Sequence, residues 1–160
     1  MARKYVLDTN CFIEASRNET AAATLAEFNV RATPFLYLSS AVAAELTAGT
    51  ANLEYRHTIE EPVLGPYQRR GRVLTPSRTN WDILGKTLSE LVWKEGLELQ
   101  RMPRSFMLDI LIAHSCREYD TVLISSNIRD LQRINRIFTF DWTRPFPTLP
   151  QLRITGVLTH

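Results

Sequence analysis

Short, nearly continuous apolar runs alternate along this chain with longer stretches in which hydrophobic residues recur at helical spacing. The first run, Tyr5-Val6-Leu7, stops on Asp8-Thr9-Asn10 and turns apolar again at Cys11-Phe12-Ile13. A strand that ends on a carboxylate and passes at once into a helix predicts Asp8 at the carboxyl edge of a sheet, where open α/β sheets hold their ligands. A short helix is expected over Cys11 to Ala15, and a second, opened by Asn18-Glu19-Thr20, through Phe28. Phe35 to Leu38, after Pro34, predicts the second strand. Ser39 or Ser40 is expected to cap the next helix, which bears Val42, Ala43 and Leu46 on one face and is closed by Gly49.

From Leu53 to Arg70 the pattern allows one or two helices, broken by Pro62 and by Gly65-Pro66. Arg72 to Thr75 predicts a third strand, and a helix from about Asn80 to Leu97 follows from Trp81, Leu84, Leu88, Leu91 and Val92. Ser105 is expected to cap a helix over Phe106 to Tyr119. Thr121 to Ile124 predicts a fourth strand, Asp130 falls in the first turn of a short helix, and Ile137 to Phe140 predicts a fifth strand. Strands alternating with helices point to the α/β class, a mostly parallel sheet with helices on both faces. Residues 1–143 read as one unit, and 144–160, with Pro145, Pro147 and Pro150, as a Pro-rich tail.

Length and charge add bounds. A chain of 160 residues can bury a core without a disulfide or a structural metal. A formal charge of +2 does not by itself argue for nucleic acid binding. Cys11 and Cys116 form no spaced metal or redox motif and read as buried thiols of a reducing compartment. With no apolar run long enough for a signal peptide or a membrane span, a cytoplasmic, membrane-free protein is expected.

Four acids stand out by position: Asp8 at a strand end, Glu45 in the helix after the second strand, Asp109 inside an apolar helix, and Asp130 just past the fourth strand. Each has an ordinary reading, Asp8 as a helix cap and Asp130 as a first-turn acid, Glu45 as partly exposed. Asp109, between Phe106-Met107-Leu108 and Ile110-Leu111-Ile112, is costly to bury unpaired. Acids gathered at one sheet edge repel, so they need protons or a cation; with no Cys/His set beside them, Mg2+ or Mn2+ is the natural partner.

Taken together, Val6-Leu7-Asp8-Thr9-Asn10, Ser40 to Leu46, Asp109 to Ala113 and Leu123 to Leu131 make a chain that resembles the PIN-domain nucleases, particularly the VapC-like toxins of toxin–antitoxin pairs. That resemblance implies a three-layer α/β/α sandwich around a five-stranded sheet. It further implies metal-dependent cleavage of RNA, a small antitoxin whose tail enters the acidic site, and a homodimer. Asp8, Glu45 and Asp109 match the principal acids and metal ligands, Asp130 the fourth, and Thr9, Asn10, Ser126 and Asn127 the polar residues that would orient them. The chain departs in its longer middle, its Pro-rich tail, and Leu131 where an aromatic is common.

An acidic site needs cations around it to hold a phosphate backbone, and Arg101, Arg104 and Arg129 are the leading candidates. His114, His57 and His160 are not needed as bases. Trp81 and Trp93 are expected in the core or at a subunit contact. A metal-dependent phosphatase, or a non-catalytic RNA-binding or scaffold protein of the same fold, would share the acids. A phosphate-accepting receiver domain would need a paired acid at the first strand and a late lysine, and neither is present.

Overall fold

The computed structural model describes residues 3–149. Its centre is a five-stranded sheet ordered β3-β2-β1-β4-β5, with every neighbouring pair parallel. The strands are β1 (Lys4–Leu7), β2 (Leu36–Ser39), β3 (Val73–Leu74), β4 (Thr121–Ile124) and β5 (Trp142–Thr143). β1 lies in the middle, and its register with β4 sets Val6 against Leu123 and Leu7 against Ile124.

Alternation along the strands sends side chains to two separate cores. Val6, Leu38 and Leu123 join α3 (Ser40–Ala48), α6 (Arg78–Glu95), α7 (Arg104–Glu118) and α8 (Ile128–Asn135) through Val42, Leu91 and Ile110. Tyr5, Leu7, Leu36, Val122 and Ile124 face the other way, onto α1 (Thr9–Arg17) and α2 (Glu19–Ala32), where Cys11, Leu25 and Phe28 meet them. This is the parallel sheet with helices on both faces expected from the strand-and-helix pattern, and the three-layer sandwich that the resemblance implied. Each fully buried leucine or isoleucine contributes roughly 1.5–3 kcal/mol. Both cysteines are buried free thiols, and no helix among the described residues is long and apolar enough to cross a membrane.

The helix starts follow local chemistry. The side chains of Asn18, Ser39, Asn52 and Ser77 each accept a hydrogen bond from the first turn of the helix that follows, α2, α3, α4 (Leu53–Ile59) and α6 respectively. Of the two candidate serines before α3, Ser39 is thus the cap. Gly96, at φ +65°, ends α6 in the left-handed conformation and lets Leu97 donate back to the Leu91 carbonyl. In the middle segment, Pro62 is absorbed in a π-helical turn, Glu60–Leu64, between α4 and α5 (Gly65–Arg69). Such a wide turn tolerates a residue without an N–H.

Two expectations are corrected. Ser105 is not a cap: α7 starts two residues earlier than expected, on Arg104, with Pro103 as the residue before it and no side-chain cap bond. The fifth strand is Trp142–Thr143 rather than Ile137 to Phe140. Ile137 and Phe138 donate their amides back to the Ile134 carbonyl, and the Phe138 ring stacks on His114 at 3.7 Å, so this stretch turns and packs instead of pairing. Of the two places expected for Trp81 and Trp93, the core is ruled out: they are 52% and 79% exposed, because Leu84 and Leu91 already fill the inward face of α6. Within the segment read as a tail, Phe146 stacks on Phe28 at 4.8 Å and Leu149 packs against the same core. Residues 150–160 lie outside the described residues.

Candidate active site

Asp8 follows β1 directly and begins α1, its Oδ1 accepting the Thr9 amide at 2.8 Å. The residue that caps α1 is thus also the acid at the end of β1. Its other oxygen accepts from Ser125 Oγ at 2.6 Å and from Asn10 Nδ2 at 3.1 Å, while Asn10 Nδ2 also donates to Ser125 Oγ at 2.8 Å. Across the edge, Thr9 Oγ1 donates to Glu45 Oε2 at 2.5 Å, tying α1 to α3. One amide, Asn127 Nδ2, bridges the remaining acids, donating to Asp109 Oδ2 at 3.1 Å and to Asp130 Oδ2 at 3.0 Å. Asp8, Glu45, Asp109 and Asp130 are thus linked through short side chains at the carboxyl end of the sheet.

Thr9, Asn10 and Asn127 touch the acids as their positions suggested. Ser126 does not: its amide donates to Asn10 Oδ1 at 3.1 Å and its hydroxyl to Glu14 Oε1 at 2.6 Å. The serine that holds Asp8 is Ser125, fully buried and absent from the expected set. Register held the missing signal. Leu7 pairs with Ile124, so the next residues along two parallel strands, Asp8 and Ser125, must lie side by side.

The electrostatics are those of crowded carboxylates. Burial raises Asp8 above the ordinary aspartate range despite its three hydrogen bonds, and burial with the neighbouring Asp8 charge raises Glu45. Asp109, 7% exposed, is pushed up to about 8 by burial first and then by Asp8, Glu45 and Asp130. No Lys or Arg among the described residues forms an ion pair with any of the four. The donor set is hard oxygen throughout and carries excess negative charge, which fits Mg2+ or Mn2+. No three His, Cys, Asp or Glu side chains among the described residues close on a single ligating point.

The arginines divide. Arg101 is held by Glu98 at 3.1 Å, whereas Arg104, first residue of α7, and Arg129, in the first turn of α8, are exposed and have no carboxylate partner among the described residues. Arg133, 2.6 Å from Glu95 and over the Phe106 ring, is committed to packing. His114 is buried, hydrogen-bonded to Thr87 at 2.8 Å and stacked on Phe138, which makes it structural. Beside Glu45 runs a cavity of about 550 Å³ lined by Phe12, Ile13, Leu46, Tyr55, Ile59 and Val63 among others.

Comparison with known proteins identifies the family and the fold. A family model described as the PIN domain matches residues 5–137. The fold is similar to that of VapBC from Salmonella typhimurium bound to DNA, with a TM-score of 0.65 and 21% identity over 89% of this chain and 98% of that one. It is similar also to VapBC2 from Rickettsia felis bound to a DNA fragment from its promoter, at TM-score 0.61 and 21% identity over 88% and 97% of the two chains. FitAcB from Neisseria gonorrhoeae is a further neighbour, at TM-score 0.59 and 20% identity over 86% and 95%. At such identities the likeness is one of fold. No curated protein matches the sequence.

Proposed function

The chain belongs to the PIN-domain family, and on that premise we propose that it is a divalent-metal-dependent endoribonuclease, the toxin of a toxin–antitoxin pair. The observation that carries this reading is the set of four acids gathered at the sheet edge with no ion-paired Lys or Arg among the described residues, with the Asp109 proton held to about pH 8 by burial first and then by the other three acids. Asp8 and Asp109 would hold Mg2+ or Mn2+ directly, with Glu45 and Asp130 at its flanks. A divalent cation bound there supplies phosphoryl polarisation and a water acidic enough to attack at neutral pH. The chain's own residues do the positioning: Ser125, Asn10 and the Thr9 amide fix both oxygens of Asp8, Thr9 fixes Glu45, and Asn127 sets Asp109 and Asp130 to a common donor. Arg104 and Arg129, which have no carboxylate partner among the described residues, would carry the phosphate backbone over the edge.

The neighbours solved as VapBC assemblies support a small antitoxin partner. The cavity beside Glu45 suits a segment with an apolar face that brings a cation to that carboxylate. Trp81 and Trp93, exposed on α6, give a second copy of the chain something to cover.

The test is incubation of the purified protein with total RNA, with and without Mg2+ or Mn2+, beside Asp109→Asn. Metal-dependent internal cleavage lost in the variant is the expected result. Binding of RNA without cleavage by wild type would leave the non-catalytic alternative, and release of phosphate from small esters the phosphatase.

A further inference from the structure

We propose that Glu14 is a positioning residue of this acid site, fastening the loop that carries Ser125, Ser126 and Asn127 onto α1; the inference rests on the nuclease reading. Glu14 follows Asn10 by four residues on α1, so the two side chains project from the same helix face one turn apart. Both reach the same loop residue. Asn10 Oδ1 accepts the Ser126 amide at 3.1 Å and Glu14 Oε1 accepts the Ser126 hydroxyl at 2.6 Å. Ser126 is thereby held through backbone and side chain at once.

The need for this fastening comes from what its neighbours do. Asn127 stands at the N-cap of α8, where its side chain would ordinarily accept from the first turn, yet it makes no capping bond. Its amide is given to Asp109 and Asp130 instead. On the other side of Ser126, Ser125 gives its hydroxyl to Asp8 and accepts the backbone N–H of Asn127 at 3.1 Å. The loop thus spends its own polar groups on the acids, and α1 supplies the anchorage that local capping does not. Ser126 lies between the residue that orients Asp8 and the one that orients Asp109 and Asp130, so the Glu14 bond sets how the two halves of the acid cluster stand relative to each other. Glu14 acts here as a hydrogen-bond acceptor, not through its charge.

The full chain carrying Glu14→Ala, Glu14→Gln, Ser126→Ala or Glu14→Ala with Ser126→Ala tests this. In the metal-free proteins, NMR follows the Asn127 side-chain amide and hydrogen exchange at the Ser126 amide; calorimetry then measures Mn2+ affinity, and cleavage assays separate kcat from KM. Glu14→Ala and Ser126→Ala are expected to shift the Asn127 signals and speed exchange at Ser126. Each should weaken Mn2+ by about tenfold, as loss of a residue that orients a metal ligand does. Each should also lower kcat with KM for RNA nearly unchanged. The double variant should be no worse than either single one, because both remove the same bond. Glu14→Gln, which still accepts from the Ser126 hydroxyl, should restore most of each property. Additive losses, a Glu14→Gln protein as impaired as Glu14→Ala, or Asn127 signals unmoved in Glu14→Ala would overturn the proposal. If the wild type takes up no Mn2+, the nuclease reading fails, while the metal-free measurements still decide whether Glu14 holds the loop.

Discussion

The hydroxyl of Ser125 lies 2.6 Å from Oδ2 of Asp8, a contact between residues 117 positions apart that is made at the buried junction of β1 and β4. A buried carboxylate held by a hydroxyl, an amide side chain and a backbone N–H keeps one orientation. Ser125→Ala removes one of the three and leaves the fold's packing in place. The expected loss is about 1.5–3 kcal/mol of stability and a 10–100-fold fall in metal affinity. Thermal melts and calorimetry on the same preparations check both. A Ser125→Ala protein with wild-type metal affinity would remove Ser125 from the site.

Asp109 makes metal-free stability depend on pH. The folded protein keeps its proton to about pH 8, whereas the free side chain loses it near 3.8, so ionisation favours the unfolded chain throughout that window. The contribution of Asp109 to metal-free stability should be lost as pH rises from about 4 to about 8. Asp109→Asn has no such proton, and its advantage should grow over the same range to about 1–3 kcal/mol. Urea denaturation in EDTA at pH 5 and pH 8 measures it; a variant no more stable at pH 8 than at pH 5, relative to wild type, contradicts the assignment.

His114 carries the opposite slope. Burial, with a smaller contribution from Arg117, lowers it to about 4, so the folded protein keeps the imidazole neutral while the unfolded chain protonates below its ordinary 6.5. The stability it contributes is present above pH 6.5 and is lost as pH falls toward 4. In an Asp109→Asn background, which removes the opposing slope, urea midpoints should fall from pH 7 to pH 4.5. The imidazole NMR signals should stay neutral down to about pH 4, and titration near 6.5 would show His114 to be solvated.

Arg104 and Arg101 separate a cation with no ion pair among the described residues from a paired one. Arg104→Ala should weaken RNA binding similarly across sequences and reduce the slope of log affinity against log salt by about one. Arg101→Ala, whose guanidinium already sits 3.1 Å from Glu98, should change that slope less. Filter binding at several salt concentrations reads both, and equal effects would show that the Glu98 pair does not withhold Arg101 from RNA.

Much of this protein was legible in local chemistry. A short apolar run determines a buried strand because no solvated face interrupts it, and a carboxylate at its end marks the sheet edge, so Asp8 and the β1-to-α1 passage could be read directly. Asp109 stood out because a charge amid Leu108, Ile110 and Leu111 is too costly to bury without a reason. Thr9 and Asn10 adjoin Asp8 in the chain and were found with it. What tertiary structure alone decided were the choices between similar neighbours. Ser125 rather than Ser126 meets Asp8 because the β1–β4 register pairs Leu7 with Ile124, a fact about two segments more than a hundred residues apart. Trp142 rather than Phe138 extends the sheet because the Phe138 ring finds His114, on a helix it shares no local pattern with. Trp81 is exposed because Leu84 and Leu91 satisfy the core first. Periodicity and capping act within one or two turns of chain, whereas register, stacking and competition for buried space are settled only when distant segments meet.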